Sequence, residues 1–176
     1  MIRILEESDF PMILEFIETK LGREAGSGKF LLSSHYPAAD LGNIAQLRRN
    51  FYNYFDEYVG LVEEGRLKGL ISVAPPYPFP EKVGMTVAGI NYIYVENEED
   101  LEKLNNALIE ELGPKLIRPT TKIRISLDMT QDNYYHWQQT LNDQGYTTDH
   151  ILESHKEMTL SRPITGKANQ KGGSKT

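Results

Sequence analysis

A strand that runs directly into a helix lies in the middle of the chain and sets the plan of the predicted fold. Residues 90–95 favour a strand, because their β-branched and aromatic side chains pack well on a pleated surface. Leucines then recur at helical spacing, at Leu101, Leu104, Leu108 and Leu112. Asn97 is the expected N-cap of this helix. We therefore predict a central strand that ends at the N-terminus of the next helix, where free N–H groups converge.

The turn between this strand and helix is acidic, with Glu96, Glu98, Glu99 and Asp100 close together. Carboxylates are favourable at the positive end of a helix dipole. The same charges oppose an anionic ligand such as a phosphate group. The turn is therefore expected to stabilise the helix and to weaken phosphate binding there.

The composition is that of one ordinary globular domain. The 176 residues are 39% hydrophobic and 25% charged, which provides enough apolar material for a single core. The net charge of −6 argues against nucleic acid as the main partner. No cysteine is present, which fits a cytoplasmic protein. No apolar run has the length of a membrane span, so a membrane is not an expected partner either.

The first part of the chain predicts two helices joined by a long loop. Residues 2–5 favour a short strand, and Ser8 is the expected N-cap of the first helix. Residues 22–40 are rich in glycine and serine and are expected to be loop over most of their length. Asp40 would cap a second helix, whose apolar stripe extends to Tyr58.

The middle of the chain predicts a hairpin and a connection. Residues 58–63 and 67–73 favour two strands, with Gly65 in the turn between them. Residues 74–85 contain four prolines and are expected to form an exposed connection. Proline has no N–H group to donate within a central strand, which is the reason for this expectation.

The last part of the chain predicts further strands around a short helix. Residues 122–129 alternate between apolar and polar side chains, as in a strand with one buried face. Asp132 is the expected cap of the next helix and Gly145 its end. A last strand region follows, and residues 161–176 are expected to form a flexible basic tail. The element order predicts one α+β domain over residues 1–160, in an α/β three-layer arrangement with helices on both faces of a sheet.

This order of elements resembles that of the GNAT superfamily, the acyl-CoA-dependent N-acyltransferases. The resemblance covers residues 1 to about 160 and rests on the opening IRILEESDF, the hairpin YVGLVEEGRLKGLISV, the strand end YIYV and the closing NDQGY. It implies a GNAT-like mixed, mostly antiparallel sheet of six to seven strands. It also implies that the sheet is splayed at its middle to admit acyl-CoA.

The GNAT pyrophosphate motif is degenerate in this chain. The motif is a strand-ending valine, then x-P-x-x-R/Q-G-x-G-x-G/A at the start of a helix. When the motif is aligned so that its valine falls on Val95, its proline position holds Asn97 and its Arg/Gln position holds Asp100. Its three small-residue positions hold Leu101, Lys103 and Asn105. Glycines let backbone N–H groups approach a pyrophosphate, and the side chains here are larger and partly anionic. The coenzyme site that the resemblance implies is therefore atypical.

The resemblance places a site where the sheet opens. Acetyl-CoA or another acyl-CoA would lie against Tyr94, Val95, Asn97 and Ser126. The amine acceptor would contact His35, Asn91 and Tyr92. Asp128 is the candidate base and Tyr134 the candidate acid, since the usual position of the acid, four residues before Gly145, holds Leu141. The alternative is structural, with the tyrosines in the core and Asp128 in a turn at the strand end.

Two functions remain open at this point. The first is transfer of an acyl group from acyl-CoA to the amine of a small molecule or a protein. The alternative is a catalytically inactive GNAT-fold module that binds or regulates, which the missing glycines favour. His150 and His155 would point to opposite faces of a strand, so no metal site is expected. A homodimer is one of the partner states that the sequence allows.

Overall fold

A computed structural model describes residues 1–23, 29–32, 34, 44–53, 56–78, 86–116 and 120–165. In this part of the chain, eight strands form one sheet: β1 (Ile2–Ile4), β2 (Lys29–Leu32), β3 (Glu57–Glu63), β4 (Arg66–Pro78), β5 (Thr86–Val95), β6 (Lys122–Asp128), β7 (Thr147–Leu152) and β8 (Glu157–Pro163). The α-helices are α1 (Phe10–Arg23), α2 (Ile44–Asn53), α3 (Glu98–Ala107) and α4 (Tyr134–Asp143). None of the described helices combines the length and the apolar character that crossing a membrane requires.

The sheet is mixed, with the strand order β1-β3-β4-β5-β6-β8-β7. Neighbouring strands are antiparallel except β5 and β6, which are parallel. β2 lies off this path and pairs with β5. The predicted α+β fold with a mixed, mostly antiparallel sheet is confirmed.

Helices cover both faces of the sheet. Side chains of α1 and α2 share one apolar cluster with Leu70 of β4. Those of α3 and α4 share a second cluster with Ile71 of the same strand. Because neighbouring residues of a strand point to opposite faces, the two clusters lie on opposite sides of the sheet. The predicted three-layer arrangement is therefore confirmed.

The first helical segment begins earlier than predicted. A 3-10 turn at Glu7–Asp9 precedes α1, so Ser8 lies inside this turn and is not the N-cap. The cap is formed by Glu6 and Asp9, with the Glu6 N–H donating to Asp9 Oδ2 at 2.7 Å. Arg3 donates two hydrogen bonds of 2.8 Å to the same carboxylate. A carboxylate that also binds β1 therefore replaces the predicted serine cap.

The hairpin of β3 and β4 is confirmed. Glu64 and Gly65 form its two-residue turn, with φ values of 51° and 75°. Tyr58, predicted to end the stripe of the second helix, lies in β3 and packs edge-on against Phe10 at 6.4 Å between ring centroids. An aromatic side chain fits either element, and pairing with β4 makes this residue part of a strand. Asp40, the predicted cap of the second helix, lies outside the described residues.

The expectation of an exposed connection over residues 74–85 is wrong for its first part. β4 extends to Pro78 and pairs there with Thr86 of β5. Pro75 and Pro76 lie where the ladder with β5 is irregular, between Ala74 and Tyr77, and the pairing of β4 with β3 ends at Val73. Proline is tolerated at such an irregularity, because no N–H donor is needed there. Residues 79–85 lie outside the described part of the chain.

The central strand and helix are confirmed. The Asn97 side chain caps α3 by accepting a hydrogen bond from the Asp100 N–H at 2.8 Å. The leucines of the predicted stripe are all buried. The chain stays helical past α3, first in a π turn at Leu108–Leu112 and then in a 3-10 turn. Gly113 packs closely there, since a Cβ atom on it would lie 2.8 Å from the Leu108 carbonyl oxygen.

The last strands and helix follow the predicted order. β6 alternates as expected, with its apolar side chains buried. α4 begins after Asn133 without a side-chain cap, so the prediction of Asp132 as the cap is wrong. Gly145 ends this helix with a φ of 90°. Two strands follow, and the domain limit expected at residue 160 falls inside β8, which runs to Pro163.

Candidate active site

The sheet opens between its two parallel strands. β5 pairs with β6 only where residues 87–89 meet residues 122–124. The rest of β6, up to Asp128, pairs with β8 on its other side. The two central strands therefore part after Gly89, beside the end of β5 where the resemblance places the site.

A β-bulge in β5 lies at the point where the strands part. Tyr92 pairs with Ser72 and Ile90 with Val73, which leaves Asn91 as an extra residue on β5. The Asn91 side-chain amide donates to Ser72 Oγ at 3.2 Å. A bulge bends the strand that carries it, so it accounts for the turn of β5 away from β6.

β2 occupies the opening. It pairs antiparallel with the end of β5, from Lys29 opposite Val95 to Leu32 opposite Tyr92. The other edge of these β5 residues is taken by β4, so β2 lies on the side that faces β6. Beyond β2, the Ser34 N–H donates to the Ser126 carbonyl oxygen of β6 at 3.1 Å.

β2 is a strand inside residues 22–40, where a loop is expected over most of the length, and residues 24–28, 33 and 35–40 lie outside the described part of the chain. A four-residue strand is too short to show a hydrophobic period, and glycines, serines and a proline surround it in the sequence. Its strand conformation depends on a partner edge that β5 offers only because it has turned away from β6.

The predicted coenzyme residues lie around the opening. The backbone of Tyr94 and Val95 borders it and pairs with β2. The Tyr94 ring is buried and packs edge-on against Phe16 of α1, at 5.1 Å between ring centroids. Asn97 caps α3, and Ser126 accepts the hydrogen bond that closes the far end of β2. The Tyr94 side chain has the position that the structural alternative expects, and the four coenzyme contacts stay predictions.

Asp128, the candidate base, has the contacts of a turn residue. Its carboxylate accepts hydrogen bonds from the Thr130 N–H at 2.9 Å and the Thr130 hydroxyl at 2.6 Å, and from the Gln131 amide at 3.4 Å. These bonds, above all that from the Thr130 hydroxyl, lower the pKa of Asp128 below its usual range. A general base is most effective with a pKa near the working pH. The geometry favours the turn role, and the catalytic role stays a prediction.

The other predicted site residues are spread around the same region. Tyr134 is the first residue of α4 and is half-buried against the cluster formed by α3 and α4. Tyr92 is buried in the cluster on the α1 side. Next to Asn91, a Cβ atom added at Gly89 would meet no described atom within 4 Å, so this face of β5 is open there. His35 lies outside the described residues.

An acidic groove of about 700 Å³ runs between α3 and α4. Its carboxylates are Glu98, Glu99, Glu102 and Asp143, and its basic side chains are His136 and Arg162. Partial burial raises the pKa of Asp100 at the start of α3, Lys103 opposes this rise, and Glu96, Glu63 and Glu99 add to it. The negative field expected from the sequence is therefore present at the N-terminus of α3. Among the described residues, no three His, Asp or Glu side chains are placed to hold a metal ion.

A buried polar network joins α3 to the end of α4, and the sequence did not indicate it. The Tyr146 hydroxyl donates to Asn105 Oδ1 at 3.1 Å, and the Asn105 amide donates to the Gln144 side chain. Asn105 is fully buried, and burial raises the pKa of Tyr146 well above its usual range. The available signal was Asn105 itself, a polar residue one position after a leucine of the buried stripe.

Solved acetyltransferase structures share this architecture. A probable acetyltransferase from Staphylococcus epidermidis ATCC 12228 has a TM-score of 0.61 at 16% identity, over 94% of this chain and 99% of that one. An aminoglycoside 6′-acetyltransferase of type Ii has a TM-score of 0.60 at 15% identity, over 93% and 97%. A ribosomal-protein-S5-alanine acetyltransferase from Vibrio fischeri has a TM-score of 0.57 at 12% identity, over 93% and 92%. No protein-family model matches the chain, and no curated protein matches it either.

The chain is therefore an α+β protein whose mixed sheet opens beside its central strand. More specifically, it has the fold of the GNAT acetyltransferases over most of its length. The resemblance that the sequence suggested is confirmed at the level of the fold.

The residues around the opening do not fit acyl-CoA in this arrangement. The β5 edge, which would pair with the amides of the pantetheine arm, is bonded to β2. The N-terminus of α3, which would receive the pyrophosphate, carries Glu98, Glu99 and Asp100 in its first turn. The strand edge is free to pair with an extended chain only when β2 is absent, whereas the charges at the turn oppose a phosphate group in any arrangement.

Proposed function

We propose that this protein is a GNAT-fold N-acyltransferase that uses acyl-CoA and an amine and has an atypical coenzyme site. The observation that carries the proposal is the parting of β5 and β6 after Gly89, next to the bulge at Asn91. An opening at this place in a mixed sheet exposes one edge of a central strand, which can pair with an extended ligand. The acetyltransferases of similar fold support the same reaction class.

The proposal assigns the chemical roles to polar groups on the strands and the helix beside the opening. Such a reaction needs a base for the amine proton and hydrogen-bond donors for the developing oxyanion. The Asn91 amide and the Ser126 hydroxyl lie on the two strands that border the opening. Asp128 and Tyr134 are the proposed proton-transfer residues. Tyr94, Val95, Asn97 and Ser126 are the proposed coenzyme contacts.

The proposed acceptor is the amine of a small molecule or of a protein. Two of the similar acetyltransferases are named for their acceptors. One acceptor is a small molecule, an aminoglycoside, and the other is an alanine of a ribosomal protein. Open space at Gly89 on the α1 face of β5 offers room for such a group beside the predicted acceptor residues Asn91 and Tyr92. The proposal includes action in the cytoplasm, and it is compatible with a monomer or a homodimer.

A thiol-release assay tests this function directly. The protein is incubated with acetyl-CoA or a longer acyl-CoA and one of three amines: an aminoglycoside, spermidine or a peptide with a free N-terminal alanine. The chain has no cysteine, so protein thiols contribute no background. We expect thiol release that depends on both the acyl-CoA and the amine.

Calorimetry with the same two acyl-CoA compounds gives the affinity. The proposal is contradicted if both bind with dissociation constants above about 1 mM, which is roughly −4 kcal/mol, and no amine-dependent thiol release occurs. This result must hold in the wild-type protein and in a Leu31→Ala variant, in which β2 is held less firmly.

A further inference from the structure

We propose that β2 is an internal competitor of acyl-CoA, which holds the coenzyme edge of β5 until the strand is displaced. The proposal rests on the proposed function, since it takes the opening beside β5 to be the coenzyme site. It adds a regulatory property of that site: the protein binds acyl-CoA only in those molecules from which β2 has left.

The position of β2 is fixed by the pairing of β5. Residues 92–95 of β5 pair with residues 69–72 of β4 on one edge. A strand has two edges, so β2, which pairs with the same β5 residues, occupies the second one. That second edge continues the one on which residues 87–89 pair with β6. β2 therefore takes the place that β6 leaves when the strands part.

The opening is closed on its far side as well. The hydrogen bond from the Ser34 N–H to the Ser126 carbonyl oxygen joins the end of the β2 segment to β6. Leu31 is 7% exposed and belongs to the apolar cluster that contains Leu101 and Leu104 of α3. β2 is therefore bonded to β5 on one side, and the chain beyond it is bonded to β6 at Ser34.

A pantetheine arm and β2 cannot use the same edge at once. The arm is an extended chain with two amide groups, and extended amide ligands bind proteins by adding to a free strand edge. Each backbone N–H and C=O group on this edge of residues 92–95 can hydrogen-bond to one partner strand at a time. Binding of the arm and pairing of β2 are therefore mutually exclusive.

The attachment of β2 is small enough for a ligand to break. β2 has four residues and, among the described strands, pairs with β5 alone. Its release would expose Leu31 and break one short ladder, while β5 keeps its pairing with β4. The apparent dissociation constant of acyl-CoA is then the intrinsic constant divided by the fraction of molecules without bound β2.

The first experiment weakens β2 and measures the affinity for acetyl-CoA by calorimetry. Leu31→Ala removes the described apolar contact of β2 with the core. Leu112→Ala is the matched control, since Leu112 is also a buried leucine with 7% exposure and lies at the far end of the helical segment that begins with α3. We expect Leu31→Ala to bind acetyl-CoA at least tenfold more tightly than the wild type, and Leu112→Ala to bind it with unchanged affinity.

The second experiment locks β2 in place. Leu31 and Ile93 are directly opposite each other in the antiparallel ladder, at a Cα separation that a disulfide can bridge. The chain has no other cysteine, so Leu31→Cys with Ile93→Cys gives a single reversible crosslink. We expect the oxidised protein to lose acetyl-CoA binding and the same sample to recover it on reduction.

The outcomes separate this inference from the proposed function. Equal affinity in the oxidised and reduced forms would overturn the role of β2 and leave the function intact. Equal affinity of Leu31→Ala and the wild type would overturn it in the same way. Absence of binding in every form, including Leu31→Ala and the reduced double variant, would overturn both.

Discussion

Asp9 shows how much a single carboxylate contributes at the N-terminus. It accepts the Glu6 N–H that caps the first helical turn and also two hydrogen bonds from Arg3 of β1. The bond from Arg3 is the main cause that lowers the pKa of Asp9 below its ordinary value. Asp9 therefore links β1 to the first helical turn, and the strength of this link depends on the charge of the Asp9 carboxylate.

Replacing Asp9 is therefore expected to destabilise the protein in a pH-dependent way. Asp9→Asn should lower the free energy of unfolding at pH 7 by about 1 kcal/mol, because it loses charge-assisted bonds to a partly exposed arginine. The pKa of Asp9 is lower in the folded state than in the unfolded state. Its contribution to the free energy of unfolding is therefore fully present above pH 3.8 and is lost as the pH falls through the folded-state pKa. Urea unfolding at pH 7 and pH 3 measures the difference. Glu18→Gln, on the exposed side of α1, is the control, and equal effects of Asp9→Asn at both pH values would contradict the assignment.

Tyr146 is the second residue whose contribution follows from its contacts. Tyr146→Phe removes the donor to Asn105 Oδ1, and both of these side chains are buried. A buried acceptor without its donor costs about 1–3 kcal/mol, which urea unfolding would detect. Tyr135→Phe is the matched control, because Tyr135 is 58% exposed. Burial raises the pKa of Tyr146, so its stabilisation is expected to decline as the pH rises above 10, and a flat profile in that range would contradict it.

At the scale of elements, Gly69 sets the distance between α3 and the sheet. A Cβ atom on Gly69 would lie 2.8 Å from Leu104 Cδ1 and 3.2 Å from Val95 Cγ1. Gly69→Ala should lower the free energy of unfolding by about 1–3 kcal/mol through overpacking. Gly89→Ala is the control, since no described atom lies within 4 Å of its added Cβ. Urea unfolding compares the two variants, and equal stability would show that α3 does not pack as closely as described.

The acidic first turn of α3 is expected to limit the affinity for the coenzyme. Two exposed carboxylates about 6 Å from phosphate charges, at high effective dielectric, weaken binding by roughly tenfold together. Glu98→Gln with Glu99→Gln should therefore tighten acetyl-CoA binding by about this factor at low salt. Glu110→Gln with Glu111→Gln, at the other end of the helical segment, changes the net charge equally and serves as the control. Equal affinity changes in both pairs would show that net charge, and not position, is the cause.

The elements differ in how far the sequence could predict them. β5 and α3 carry a clear change of period and a cap residue, and both lie where the pattern placed them. The prediction of a serine cap for α1 is wrong. The Asp9 carboxylate binds Arg3 and the Glu6 N–H instead, and the bond to Arg3 of β1 depends on tertiary structure. β2 could not be predicted, since its four residues carry no period and its partner edge depends on a bulge in a distant strand.

At the scale of the whole molecule, element order was sufficient to predict the fold. Alternation and helical stripes fix which faces are buried, and these constraints left few arrangements of the sheet. The roles of the site residues are not tested by the fold and stay predictions. The sequence pattern around Tyr94 is equally typical of a core aromatic residue, and that around Asp128 of a turn. The burial of Tyr94 and the hydrogen bonds of Asp128 are visible only in the structure.

Hydrogen exchange of the β2 amides, followed with and without acetyl-CoA, tests most directly whether the opening beside β5 is the coenzyme site. The expected result at saturating acetyl-CoA is faster exchange in residues 29–32, while residues 92–95 stay protected because the pantetheine arm takes over the β5 edge. Unchanged or slower exchange in residues 29–32 under the same conditions would contradict this account.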